Sequence, residues 1–188
     1  MLKSLLKWTL GLVLALVLAV AGLAGYVLWR FNSPPPAIAG EARLPGADGT
    51  ITIVRDRYGV PHIFAETEAD LYRGLGFAHA QDRFFQMDAT RRAMQGRLSE
   101  LLGESTLSID ARARIMGWRQ AAQAQLAALS PEARAVLEAY AQGVNAQLAV
   151  GPTPPEYALF FASPEPWTPE DSLAVSLAMT DTLTGGSY

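Results

Sequence analysis

The chain has 188 residues, half of them apolar, and a formal net charge of −3 at pH 7. That length allows one domain and an N-terminal appendage. The small negative charge argues against a nucleic acid as the main partner, because proteins that bind nucleic acids carry a basic surface. Cysteine is absent, which excludes a disulfide framework, a thiolate nucleophile and a thiolate metal site.

An apolar run near the N-terminus, Trp8 to Trp29, contains no charged residue. As a helix it would span about 33 Å, enough for a hydrocarbon core of about 30 Å. Lys3 and Lys7 precede the run, so the positive-inside rule orients the N-terminus inwards. We predict a signal anchor over residues 1–30, with the domain facing the periplasm or the cell exterior from the inner membrane. A signal peptide cleaved at Ala19-Val20-Ala21 is the alternative.

A stretch rich in proline and glycine follows this segment. Pro34-Pro35-Pro36 and Pro45-Gly46 lie within residues 31–48, and this composition is typical of a semi-rigid, extended linker. We therefore predict three parts: the anchor, which would contact the membrane through residues 8–29, the linker, and a domain over residues 49–188.

The domain opens with two short β-branched or aromatic runs. Ile51 to Val54 suits a half-buried strand, and His62 to Ala65 resumes after a proline that favours extended backbone. Asp56-Arg57-Tyr58-Gly59 between them is typical of a turn, with Gly59 available for a positive φ. The pattern predicts a hairpin or an edge pair of strands.

A long helix is predicted next, with Thr67 as its N-cap and Asp70 at the capping-box spacing. Its apolar face recurs at steps of three and four, through Phe77, Ala80, Phe84, Met87, Met94 and Leu98.

An arginine, Arg91, falls within that apolar stripe. A buried guanidinium needs carboxylate or carbonyl partners, because an unpaired buried charge is very costly. One interpretation is a structural ion-pair network, which we assign to Asp82, Asp88, Arg91 and Arg92. The other is an arginine that faces a catalytic or maturation site.

Three further helical stretches follow. Residues from about Ser108 to Leu129 are rich in Ala, Arg and Gln, which favour helix. Ser130-Pro131-Glu132 and Thr168-Pro169-Glu170-Asp171 are typical helix starts, and Gly185-Gly186 is predicted to cap or break the last helix. That last helix has a half-polar face, which could line a cleft or meet solvent. The aromatic residues of the loop from Pro154 to Pro166 are predicted to pack beneath it.

No complete catalytic set is present in the sequence. We find no H-E-x-x-H, no G-x-S-x-G, no P-loop and no Rossmann glycine pattern. His62 and His79 are not at a helical ligand spacing, and we interpret both as packed or paired structural residues.

Six segments of the domain form a recognisable series. The two longest are I-V-R-D-R-Y-G-V-P-H-I-F-A from Ile53 and G-L-G-F-A-H-A-Q-D-R-F-F-Q-M-D-A-T-R-R from Gly74. The others lie at Gly96–Gly103, Leu129–Ala133, Tyr140–Ala146 and Pro164–Ala174. In sequence and in order these segments resemble the start of the penicillin-acylase family of N-terminal-nucleophile hydrolases. The fold class this implies is α+β: a mainly helical segment with a short strand pair, belonging to a larger αββα fold.

The resemblance also implies a mechanism. Members are made as precursors that cut themselves into two subunits, and the nucleophile is the serine that begins the second subunit. The implied reaction is hydrolysis of a linear amide, with penicillin, N-acyl-homoserine lactone or other N-acyl compounds as substrates. We therefore expect no catalytic residue in this chain and a β-subunit from the same precursor as its partner.

The family also places acyl-pocket residues on the last helix of the first subunit. By position these are Met179, Thr180, Leu183 and Thr184, and threonines there imply a wider or more polar pocket. No cofactor is expected to be required, although calcium is possible as a structural ion, with a ligand a few residues beyond Tyr188. The alternative function is a non-catalytic, membrane-tethered interaction module on the same scaffold.

Overall fold

A computed structural model describes residues 2–32 and 42–184, which fall in two compact units divided after residue 40. Half of the predicted linker, residues 33–41, lies outside the described residues, as do Gly185 and Gly186.

The first unit contains one helix, α1 (Leu2–Asn32), among its described residues. Its segment Lys7–Trp29 has a mean hydropathy of 2.5 and is not buried within the structure. By length and composition this helix could cross a membrane, and a signal sequence near an N-terminus has the same properties. Both interpretations from the sequence therefore stay open.

The second unit begins with an antiparallel strand pair, β1 (Thr52–Arg55) and β2 (Pro61–Phe64). Ile53 pairs with Ile63, and a turn with Gly59 at φ 79° joins the strands. The predicted hairpin is confirmed, although β2 begins at Pro61 instead of His62. Proline is tolerated there because the first residue of an edge strand need not donate to the ladder.

Helix α2 (Glu68–Gln95) is the longest element of this unit among the described residues. Its predicted N-cap is confirmed, because Thr67 Oγ1 accepts a hydrogen bond from the backbone N–H of Asp70 at 3.1 Å. The predicted stripe runs past the helix end. Gly96 adopts a left-handed conformation and caps the helix, so Leu98 belongs to the next turn, where it is still buried.

The stretch predicted as helical from about Ser108 to Leu129 consists of two helices, α4 (Leu107–Met116) and α5 (Trp118–Ala128). They are preceded by α3 (Ser99–Leu102) and a 3₁₀ turn (Gly103–Thr106). Gly117 separates α4 from α5 with φ 70°, a value that glycine adopts without steric cost. Helix propensity alone did not reveal this break.

Helix α6 (Pro131–Val150) crosses α2 at very close range. Two glycines make this possible. A Cβ at Gly143 would collide with the carbonyl oxygen of Arg73, and one at Gly76 would collide with that of Tyr140. The predicted start of α6 is confirmed, because Ser130 Oγ accepts from the N–H of Ala133 at 3.2 Å.

Two more helices complete the unit, α7 (Glu156–Leu159) and α8 (Pro169–Leu183). Thr168 and Asp171 form a capping box at the predicted start of α8. The core combines residues of α2, α6 and the loop around α7, among them Phe84, Val144, Tyr157 and Trp167.

The loop between α6 and α8 corrects one expectation. Tyr157 is buried, and Phe160 stacks on Phe85 with ring centroids 5.6 Å apart. Phe161, however, is 98% exposed and has φ 50°, because the chain reverses at this residue and turns its side chain outwards. The loop aromatics therefore do not all pack beneath the loop.

Candidate functional site: a buried ion cluster beside an open groove

The C-terminal half of α2 carries a buried cluster of charges centred on Asp88. The Asp88 carboxylate accepts hydrogen bonds from Arg91 Nε at 2.7 Å, from Arg92 Nε at 3.1 Å and from the Tyr157 hydroxyl at 2.6 Å. Asp88 is fully buried, and both arginines are nearly so. Two guanidinium groups and a hydroxyl thus replace the water that the carboxylate loses on folding.

Arg91 joins this cluster to the start of α8. Its guanidinium donates to the carbonyl oxygens of Glu165 and Pro166 at 2.8 and 2.7 Å, and to Asp171 Oδ2 at 2.9 Å. The same carboxylate oxygen caps α8 by accepting from the N–H of Thr168 at 2.8 Å. These are the carboxylate and carbonyl partners that a buried guanidinium requires, and they fix where α8 begins.

An outer layer of ion pairs surrounds Arg92. Arg92 contacts Glu100 and Glu165, and Arg97 contacts the same two carboxylates at 2.8 Å. Glu100 and Glu165 raise the pKa of Arg97 above its ordinary value, and hydrogen bonding by Arg97 lowers the pKa of Glu165.

Asp82, which we had also assigned to this ion-pair network, lies outside the buried cluster. It pairs with Arg55 of β1, whose Nη2 is 2.7 Å from Asp82 Oδ1, and its side chain is 38% exposed. The structure therefore brings Asp88, Arg91 and Arg92 together and uses Asp82 to attach the strand pair to α2.

An open groove of about 850 Å³ lies between α2, α6 and α8. Such a volume is in the range of small-molecule sites. Its walls are mainly apolar, with Leu75, Met87, Val136, Leu137, Val175 and Met179 among the lining residues. Helix α6 directs its larger apolar residues to two places: Val144 enters the core, while Val136, Leu137 and Tyr140 face the groove.

Two polar rings line this groove in hydrogen-bond contact. His79 Nδ1 of α2 lies 3.0 Å from the Tyr140 hydroxyl of α6, with ring centroids 5.8 Å apart. Removal from water lowers the pKa of His79, against a smaller opposing effect of Asp82, and burial raises the pKa of Tyr140 to about 12. Both rings are therefore neutral at pH 7. The sequence pattern pointed to His79 as a paired residue but not to its position on a groove.

Three of the four predicted acyl-pocket residues lie on α8, and the fourth, Thr184, is its C-cap. All four are exposed. Met179 lines the groove, whereas Thr180, Leu183 and Thr184 are not among its lining residues. The hydroxyls of Thr180 and Thr184 donate to carbonyl oxygens of their own helix, those of Ser176 and Thr180.

Ser172, another residue that lines the groove, accepts a hydrogen bond from Trp167 Nε1 at 3.0 Å. Within residues 2–32 and 42–184, no three or more His, Asp or Glu side chains are grouped as a metal site would require. The expectation about calcium concerns a ligand beyond Tyr188 and stays a prediction.

A comparison with known protein families identifies the family to which this chain belongs. The profile of the family described as penicillin amidase matches residues 50–188. The chain belongs to the penicillin amidase family. The family expected from the sequence is confirmed, and so is a mainly helical segment with a short antiparallel strand pair.

Individual relatives agree with this assignment. The chain is 47% identical to penicillin acylase 2 proenzyme of Pseudomonas sp. strain SE83 over 141 residues, which are 74% of this chain. It is 36% identical over 100 residues to an acyl-homoserine lactone acylase of Pseudomonas putida, covering 53% of this chain and 12% of the relative. A solved thermostable penicillin G acylase from Alcaligenes faecalis matches with TM-score 0.66 and 35% identity, over 74% of this chain and 76% of that one.

The matched region is a small part of the curated relatives. It spans 18% of the length of the Pseudomonas proenzyme. What these penicillin amidase relatives do as whole proteins therefore reaches this chain only as a proposal.

Proposed function

We propose that this chain is the N-terminal part of an exported, self-cleaving amidohydrolase precursor, whose serine nucleophile lies downstream of this chain and becomes the first residue of the second subunit. One observation carries the proposal: the chain is 47% identical to a proenzyme of which it spans 18%. The groove of the penicillin amidase segment adds a mainly apolar surface of a size suited to a small molecule.

The reaction proposed is hydrolysis of a linear amide through an acyl-enzyme ester. The serine hydroxyl attacks the amide carbonyl, the amine leaves with a proton, and water then cleaves the ester to release the acid. The base is the α-amino group of the same serine, whose unperturbed pKa of about 7.7–8.0 suits neutral pH. Amide donors would stabilise the oxyanion. Penicillin, N-acyl-homoserine lactones and other N-acyl compounds are the substrate classes.

The part of this chain in that reaction is to hold the acyl group. Helix α8 would supply Met179, Thr180 and Leu183, and its C-cap would supply Thr184; all four side chains are exposed in the chain alone. Arg91 and Asp171 support this role because they fix the first turn of the helix that positions these residues.

We propose further that α1 anchors the protein in the inner membrane, with the second unit outside the cytoplasm. Support comes from the hydropathy and length of Lys7–Trp29. Carbonate extraction of membranes from cells that express the chain tests this. Retention in the pellet of a species with an intact N-terminus supports an anchor, whereas a soluble species that starts after Ala21 supports a cleaved signal peptide.

Expression of the longer precursor tests the enzymatic proposal. The 188-residue chain is expressed alone and as the start of the precursor that includes the sequence encoded downstream, and each preparation is assayed with chromogenic acyl-anilides. Turnover is expected only from the cleaved precursor, and N-terminal sequencing of its second subunit should begin at serine. Turnover by the chain alone would contradict the location of the nucleophile, and a cleaved, assembled but inactive product would favour the interaction module.

A further inference from the structure

Helix α4 turns its apolar side away from the second unit. Its buried residues are Asp110 and Ala113. Leu107, in contrast, is 52% exposed, and Ile115 is 84% exposed. With the exposed Ala111 between them, these two residues recur at steps of four and form one stripe along the outer face of the helix. A surface helix of a soluble domain has the reverse arrangement, so this α4 stripe is suited to an apolar partner outside the described chain.

A polar pocket of about 350 Å³ is lined by residues of α2, α3, α4 and α5. We call it the arginine pocket. Arg114 donates from Nε and Nη2 to the carbonyl oxygen of Gly96, at 2.9 and 2.7 Å, and a carbonyl does not cancel the charge of a guanidinium. Arg119 has no hydrogen-bond or ion-pair partner in the part of the chain that the structure describes. Glu100, which also lines the pocket, is already paired with two other arginines. The pocket therefore suits an oxyanion.

The stripe and the pocket adjoin each other on α4. Arg114 follows Ala111 by three residues and Leu107 by seven, so it lies on the same face of the helix as the stripe. An aliphatic surface next to a cationic pocket matches the two parts of a phospholipid, its hydrocarbon and its phosphate. An interfacial helix binds a membrane through this combination of apolar area and basic side chains.

We propose that the α4 stripe and the arginine pocket together form a docking surface for anionic phospholipid, with the lipid phosphate in the pocket and the stripe against the acyl region. This inference rests on the proposed membrane anchor α1 and does not depend on the amidase reaction. Because the anchor keeps the second unit close to lipid, a weak docking surface is sufficient.

Charge complementarity favours lipid as the occupant. From Ala111 to Ser130 the sequence contains three arginines and no acidic residue, whereas the whole chain carries a formal charge of −3. One of the three, Arg112, is neutralised by Asp181 of α8, which leaves Arg114 and Arg119 to attract an anion. An anionic lipid surface repels most of an acidic protein and attracts this part of it, so the docking surface would also orient the second unit.

The experiment uses the full chain in lipid nanodiscs, made of phosphatidylcholine alone or of phosphatidylcholine with phosphatidylglycerol. Because the sequence contains no cysteine, Ala111→Cys places a single polarity-sensitive fluorophore in the middle of the stripe. Ala135→Cys, at an exposed position of α6, carries the same fluorophore as a control. Arg119→Gln and Ile115→Ser each remove one part of the docking surface. Arg57→Gln removes an exposed arginine from the turn between the strands and is the matched charge control.

We expect emission from position 111 to shift to shorter wavelength in the anionic discs and emission from position 135 to stay unchanged. Arg119→Gln should lower the ratio of docked to undocked chain about 5-fold, the contribution of one basic residue near an anionic membrane. Ile115→Ser should lower this ratio about 10-fold through lost apolar burial. Arg57→Gln should leave it unchanged.

Inorganic phosphate separates a lipid site from a site for a free anion. In the anionic discs, phosphate should reverse the shift more than chloride does at equal ionic strength, because it competes for the arginine pocket. Calorimetric binding of phosphate to the chain in neutral discs, lost in Arg119→Gln, without any shift in anionic discs would mean a free-anion site and would overturn the lipid assignment.

Equal emission in both kinds of disc, or a shift that survives both Arg119→Gln and Ile115→Ser, would overturn the inference and leave the anchor intact. A shift of the same reporter when the cleaved precursor assembles in detergent, without lipid, would assign the stripe to the second subunit and would also overturn it. A chain that does not enter the discs would instead count against the anchor. Flotation with phosphatidylglycerol vesicles would then decide the inference by itself, since flotation that is lost in Arg119→Gln supports docking and absence of flotation contradicts it.

Discussion

Two faces of α2 solve opposite problems. The closed face buries Asp88, Arg91 and Arg92 and satisfies them within the protein, whereas the open face, which includes His79 and Met87, lines a wide groove. In the described part of the chain, no buried side-chain nitrogen or oxygen lacks a hydrogen-bond partner. The closed face therefore fixes the position of neighbouring elements, and the open face leaves room for a binding partner.

The closed face of α2 is distinguished from the open face by its buried charges, not by a larger apolar area. Burying an ion pair gains little net stability relative to apolar residues, but removing one partner is strongly destabilising. The cluster joins α2 to the loop before α8 and to the cap of α8 through directional bonds. An apolar contact would tolerate sliding, and these bonds do not.

The largest effect is expected from Asp88→Ala, which removes the central carboxylate of the buried cluster on the closed face of α2. It leaves Arg91 and Arg92 buried without their shared carboxylate and should lower the free energy of unfolding by about 3–5 kcal/mol. Urea unfolding of the full chain in mild detergent, followed by circular dichroism, measures it. Asp82→Ala is the control, because its partly exposed pair with Arg55 should contribute less than about 1 kcal/mol. If Asp88→Ala and Asp82→Ala lowered the free energy of unfolding equally, the buried cluster would be no more important for stability than a surface ion pair.

Gly143→Ala tests the close crossing of α2 and α6, on which both faces of α2 depend. The added Cβ would collide with the backbone carbonyl of Arg73, which cannot move without shifting α2. We expect a loss of about 2–3 kcal/mol in the same urea assay, typical of overpacking. Ala135→Ser enlarges an exposed position of α6 and should change stability little. A neutral Gly143→Ala would show that α2 and α6 are not held at this distance.

Tyr157→Phe sharpens the comparison by removing one bond and keeping the ring. The hydroxyl donates to Asp88 at 2.6 Å, while the ring packs on Phe84 and Phe85. The loss should be about 1.5 kcal/mol, the lower end for a bond to a charged group, since Arg92 still donates to the same oxygen. A loss as large as that of Asp88→Ala would mean that packing, not the bond, is affected.

The smallest effect is expected in the pH dependence of stability due to Asp110, a buried carboxylate of α4. Burial would raise its pKa, but hydrogen bonds from Ser99 and from the N–H of Leu98 lower it overall. A lowered folded pKa stabilises the protein above the unfolded value of about 3.9, and this contribution is lost as pH falls through the folded value. Asp110→Asn should therefore be less stable than the unaltered chain at pH 6, and the difference should narrow below pH ~3.9. A difference independent of pH would contradict the assignment.

Local signals predicted the beginnings of elements well. Thr67 and Ser130 accept the backbone hydrogen bonds expected of N-caps, and Thr168 with Asp171 forms a capping box. These features depend on residues three positions apart, so their chemistry is complete within a short sequence window. The strand pair was predictable for the same reason, because its turn spans a few residues.

Long-range choices were not predictable from such windows. Asp82 and Asp88 look alike in sequence, yet Asp82 pairs with Arg55 and Asp88 is buried against Tyr157. Val136 and Val144 share one helical face, yet one lines the groove and the other enters the core. Each outcome depends on which distant element lies opposite.

The amino-acid sequence by itself determined the family, the apolar N-terminal helix, the hairpin and the capped starts of the main helices. These follow from local backbone preferences and from motifs that remain recognisable in order. Tertiary structure alone decided which charges are buried, where the groove opens and that His79 meets Tyr140. Those contacts join residues far apart in the chain, and only the close crossing of α2 and α6 at Gly76 and Gly143 brings them within hydrogen-bond distance.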